Sequence, residues 1–189
     1  IFLLVTILFL SAPLDAQRIM NNLSSAPGAF SRIGFGARGI GMGNALSTVK
    51  SGNISSIYNP ALSVFQDNNA FSAQYTFLGL DRSLNFVSFT RRFDFYSIND
   101  TIPETRVPRS TAGVSVGLIN AGVGNIDQRD NQGFKKGTLS TSENLFFFSL
   151  ANKFSEKISV GVTARFYYYK LYEEVTSTSF GFDIGAIYS

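Results

Sequence analysis

Ile158-Ser159-Val160-Gly161-Val162-Thr163-Ala164-Arg165-Phe166-Tyr167-Tyr168-Tyr169 alternates without a break between two kinds of side chain. Ile158, Val160, Val162, Ala164, Phe166 and Tyr168 are apolar or aromatic. Between them stand hydroxyls, a glycine and one arginine. A period of two is the signature of a strand whose two faces meet different surroundings.

The same pattern spreads outward along the chain. Phe180, Phe182, Ile184, Ala186 and Tyr188 alternate with Ser179, Gly181, Asp183 and Gly185. Ala112, Val114, Val116 and Leu118 alternate with Gly113, Ser115 and Gly117, and Phe71, Ala73, Tyr75 and Phe77 with Ser72, Gln74 and Thr76. Segments 84–93 and 144–154 are strand-like in composition with mixed alternation, and a bulge within 84–93 would account for its change of face. The expectation is an all-β chain of about six antiparallel strands. A short turn joins Phe154 to Ile158, and polar connections are expected over 94–110 and 121–143.

Alternation alone also describes a soluble sandwich, whose outer face would carry charges. Here the second face is mostly Ser, Thr, Gly, Gln and Tyr. Charged residues make up 15% of the 189, against roughly 25% in ordinary soluble domains. An apolar side toward lipid and an uncharged polar side toward an enclosed interior describe a transmembrane barrel. Residues 158–170 extend about 40 Å, and a ~40° tilt leaves about 30 Å of height, enough for the ~25 Å apolar band. Lipid-facing candidates are therefore Ile158, Val160, Val162, Phe166, Phe180, Phe182 and Ile184. Lumen-facing candidates are Thr163, Arg165, Tyr167, Tyr169 and Asp183. With no Trp and with 19 Phe and 8 Tyr, any aromatic girdle must come from Phe and Tyr. Centring the last loop near Glu174 pairs residues whose numbers sum to 348. That register sets Arg165 opposite Asp183, either as a cross-strand ion pair or as two separately solvated charges.

Composition also excludes chemistries. The chain has no Cys and no His, which removes the usual zinc sites, thiol nucleophiles and imidazole acid–base catalysis. A net charge of +3 with scattered basic residues gives no footprint for nucleic acid. No nucleophile, base and oxyanion donor come together, so no enzyme and no cofactor are expected. The acids Glu104, Glu173 and Glu174 fall in expected loops.

Ile1–Leu10 is an uncharged apolar run followed by small residues up to Ala16. It is too short for a spanning helix and fits the core of a secretory leader ending at residue 16, with a buried strand or core helix as the alternative. Six strands fall short of the eight of the smallest single-chain barrels, so the chain reads as the N-terminal part of a longer barrel. The expected organisation is a leader over 1–16, an N-terminal plug over 17–69 and a partial barrel over 70–189.

Residues 32–62 are glycine-rich. Gly34, Gly36 and Gly39 match G-x-G-x-x-G formally, but no buried strand precedes them and no acid stands about 20 positions on, as a dinucleotide site needs. Close passage of backbone against backbone is the simpler use of such glycines. Gly36-Ala37-Arg38, Gly41-Met42-Gly43-Asn44-Ala45 and Tyr58-Asn59-Pro60-Ala61, with the later Ser155–Gly161 turn and Gly181–Ala186 strand, resemble the PorV/PorQ family of FadL-like outer-membrane proteins. That resemblance implies a barrel of fourteen strands in the outer membrane of a Gram-negative bacterium. It also implies an N-terminal plug carrying Gly34, Gly36, Ala37, Arg38, Gly39, Gly41, Met42, Gly43, Asn59, Pro60 and Ala61. Arg38 and Asn59 would serve there as packed polar groups or as ligand contacts. The resemblance implies one of two non-catalytic roles. The protein would handle secreted cargo beside a type IX translocon subunit, or pass a hydrophobic ligand across the membrane.

Overall fold

A computed structural model describes residues 29–52, 55–67, 69–96, 108–172 and 175–188. The expected leader and the first part of the expected plug lie outside the described residues, as do Glu104, Glu173 and Glu174. Among the described residues no helix is long and apolar enough to cross a membrane, which says nothing of strands.

Six strands form one antiparallel sheet in chain order. They are β1 (Ala70–Leu78), β2 (Arg82–Phe95), β3 (Ser110–Arg129), β4 (Lys135–Lys153), β5 (Ile158–Tyr172) and β6 (Val175–Tyr188). Before them run a 3-10 helix (Ala29–Ile33), α1 (Ala37–Gly41), α2 (Ser55–Tyr58) and a second 3-10 helix (Pro60–Phe65). This N-terminal segment lies across one face of the sheet. Phe30, Phe35 and Ile57 bury themselves against Leu84, Phe86, Ile119, Leu145 and Phe147. A second cluster joins Ala61 and Leu62 to Ile187.

Three expectations about the strands are corrected. The stretch 121–143 is not a loop, because β3 and β4 continue through it as a hairpin that turns only at Asp130–Phe134. Beyond Val123 and Thr141 neither β2 nor β5 runs alongside, so no packed face demands apolar residues and the alternation fades. A bulge between Val123 and Ile126 breaks the period further.

The bulge expected in 84–93 is absent. Pairing runs unshifted from Arg82 to Phe95. Its mixed pattern arises because the even residues start apolar where they meet Phe35 (Leu84, Phe86) and turn polar farther on (Ser88, Thr90).

The β5–β6 register differs from the expected one by two residues: Arg165 stands opposite Gly181 and Thr163 opposite Asp183. Tyr172 pairs with Val175, and an irregularity between Lys170 and Tyr172 shifts the register by one more residue. A shift of two preserves the faces.

Candidate functional site

The covered face is organised in rows across the strands. Gly113, Ala151, Gly161 and Gly185 stand in register on β3, β4, β5 and β6. Over this row of small residues runs Asn59-Pro60-Ala61-Leu62-Ser63-Val64. A methyl group added at Gly161 would lie 2.7 Å from the Ala61 nitrogen, and one at Gly113 would lie 2.7 Å from the Val64 nitrogen. At Gly185 it would sit 2.9 Å from Pro60 Cδ. No real Cβ tolerates such distances, so the row is a track cut for this backbone.

Hydroxyl groups flank the track. Ser56 Oγ lies 2.7 Å from Ser115 Oγ and 3.3 Å from Thr90 Oγ1, and Ser115 and Thr90 are 2.7 Å apart. Ser149 and Thr163 share a further bond at 2.7 Å. Ser159 Oγ donates to the Ala61 carbonyl at 3.2 Å. All six side chains are buried, and mutual bonding satisfies what burial would otherwise penalise. The 3-10 helix begins with Asn59 as its cap, Oδ1 accepting from Ala61 N–H at 3.0 Å, with Pro60 at the first position. Asn59 Nδ2 donates to Ser47 O at 2.9 Å and to Ala186 O at 3.4 Å, tying the segment to β6.

Arg165 joins the segment to the sheet. Its Nη2 donates to the Ile57 carbonyl at 3.3 Å, and its Nε pairs with Asp183 Oδ2. Of the two alternatives the sequence left open the ion pair is the one present, reached diagonally by the long arginine side chain rather than from directly opposite positions.

The glycine-rich motif forms a second hub. The Tyr58 hydroxyl accepts the Phe35 N–H at 2.9 Å and can donate to Phe35 O (2.9 Å) or Asn44 Oδ1 (3.0 Å). Burial pushes its phenol above the usual range, an effect the Phe35 bond partly offsets. Gly39 leaves room for that ring, and Gly34 at φ 91° packs against the Asn44 side chain. Gly36 precedes the five-residue α1 holding Ala37, Gly39 and Gly41, while Met42 and Gly43 follow it. Arg38 Nη1 donates to Ser51 O at 2.8 Å. The formal G-x-G-x-x-G thus turns the chain and makes space for Tyr58. Between residues 36–52 and β1 lies a cavity of about 710 Å³, lined by Leu46, Val49 and Phe86 with Ser72, Gln74 and Arg38.

The other face is bare. Phe180, Phe182 and Ile184 are 73–82% exposed. Edge position accounts for part of this, but Val116 and Phe148, inside the sheet on β3 and β4, are still each 48% exposed. Of the remaining candidates on this face, Ile158 and Val162 are exposed and Val160 and Phe166 half-buried by their neighbours. Thr163, Arg165, Tyr167, Tyr169 and Asp183 share the covered face, Thr163 fully buried and the others half-buried. The apolar rows end at an amide ladder toward the β3–β4 hairpin. Asn85 donates to Asn120 at 3.2 Å, and Asn120 to Asn144 at 2.8 Å.

Alternation places Gly113, Gly161 and Gly185 on the polar face and gives them no role of their own. Their recurrence at odd positions of separate strands was the available signal for the track. Among the described residues no three His, Cys, Asp or Glu side chains gather to hold a metal. No family model, curated protein or solved structure matches this chain.

Proposed function

We propose that this sheet is an arc of an outer-membrane β-barrel wall, its bare face against lipid and its N-terminal segment folded inside as a plug. One observation carries the reading: a contiguous apolar face, shared by all six strands, that no other part of the described chain covers. In water such a surface far exceeds what soluble monomers expose, whereas in a bilayer it is the required outer surface. The protein is non-enzymatic. Its role is cargo handling in type IX secretion, a reading supported by the PorV/PorQ-like motif of residues 36–61. The densely packed track over the inner face favours that role over an open pore.

The alternative role, passage of a hydrophobic ligand, is favoured by the apolar-lined cavity beside β1. The full-length protein extracted from outer membranes tests both. A heat-dependent gel shift and co-purification of a large translocon subunit support barrel and secretion. A bound lipid without a protein partner supports transport, and absence of the shift overturns the barrel.

A further inference from the structure

On the bare face, from the Asn85–Asn120–Asn144 row to the row of Phe93, Ala112 and Asn152, every described residue but one is uncharged; the exception is Arg91. Arg91 stands opposite Val114 on β3. Beside it β1 has already ended, since Ala70, its first residue, pairs with Thr90. Arg91 therefore sits at a stepped rim of the sheet, at the end that holds the Phe154–Lys157 turn.

The side chain leans toward that rim. Its guanidinium lies 4.8 Å from the ring centre of Phe93, the next residue on the same face in the rim direction. Phe95 and Tyr96, both exposed, follow. The neighbouring Arg92 points to the covered face and pairs with Asp94 at 2.8 Å and Asp67 at 3.7 Å. Arg91 has no carboxylate within ion-pairing distance among the described residues.

An arginine costs about 2–4 kcal/mol at a bilayer midplane but about 0–1 near the interface. A guanidinium stacked on an aromatic ring and reaching toward the headgroup layer has the geometry of a snorkelling side chain. Its planar fork matches a phosphate bidentately. Resting on the membrane reading above, we propose that Arg91, braced on Phe93, binds the phosphate of an anionic lipid headgroup, one that no choline neutralises, at the turn-end rim of the barrel.

The test uses full-length protein folded into phosphatidylcholine vesicles with and without one-third phosphatidylglycerol. Wild type should prefer the anionic vesicles, and Arg91→Gln should lose about fivefold of that preference while keeping its heat-dependent gel shift. Arg91→Lys should retain part of it. An unchanged preference in Arg91→Gln overturns the proposal. So does loss of a co-purifying protein in that variant with lipid preference intact, which would give Arg91 to a partner's carboxylate. Failure of wild type to insert into either vesicle, with no gel shift, overturns the membrane reading itself and is distinguishable on that ground.

Discussion

The two faces of this sheet are built from the same strands, residue by residue in alternation, yet they obey opposite rules. The bare face carries large apolar side chains with almost no specific partners. Val116 stands opposite Phe89 and Phe148, and any greasy residue of similar size would serve. The covered face carries small residues whose identity matters. Gly113, Gly161 and Gly185 admit a crossing backbone, and Ser115, Thr90 and Ser149 are buried only because other hydroxyls meet them. One face is defined by its solvent, the other by a specific segment of its own chain. Substitutions should therefore be tolerated on the first according to polarity and on the second according to shape.

That contrast can be broken in graded steps, each measured on the full-length protein folded into lipid as the membrane reading proposed above requires. Leu62→Ala, at a fully buried position, should cost about 2–5 kcal/mol of stability in denaturant titrations. Polarity rather than volume should govern Val116, so Val116→Lys should cost about 2–4 kcal/mol of insertion free energy while Val116→Leu changes little; equal losses from both would erase the distinction. Gly161→Val should cost about 1–3 kcal/mol through overpacking and make residues 59–64 accessible to protease. A resistant variant would mean that the track is not needed for docking.

Asp183→Asn leaves Arg165 its Ile57 bond. Since the Arg165 side chain is only 19% exposed and the paired Nε and Oδ2 atoms are buried, the loss should be about 1–3 kcal/mol in the same titration.

The smallest effect is alkaline. Burial raises the Tyr58 phenol above its usual value of about 10, so the folded state holds its proton more tightly than the unfolded chain. That contribution is complete below pH ~10 and is lost as pH rises through the raised value. Protease access to residues 29–66 should increase above pH ~10 in wild type and stay flat in Tyr58→Phe.

Much of the sheet was legible because strand faces repeat every two residues. The alternation over 158–169 and 112–118 placed each side chain on its face before any pairing was known. The hairpin over 121–143 was not legible, since strands held only by each other need no apolar pattern. Nor was the β5–β6 register, because a single irregularity near Lys170 moves every partner while leaving both faces intact. Of the candidate site, Arg165 and Asp183 were visible as opposite charges on one face, whereas the hydroxyl cluster of Ser56, Thr90 and Ser115 unites residues up to 59 positions apart.

By itself the sequence determined the two-sided character of the strands, the lack of any Cys or His ligand or nucleophile in these 189 residues, and the singularity of the glycine-rich segment. These depend on residue type and short-range period, which the backbone geometry of a strand converts directly into faces. Only the tertiary structure decided that Asn59–Val64 crosses the Gly113–Gly161–Gly185 row, that Tyr58 gathers the glycine-rich turns, and that Arg91 leans on Phe93 toward the rim. Each of these depends on where distant segments meet, and close packing settles that through contacts no local pattern records.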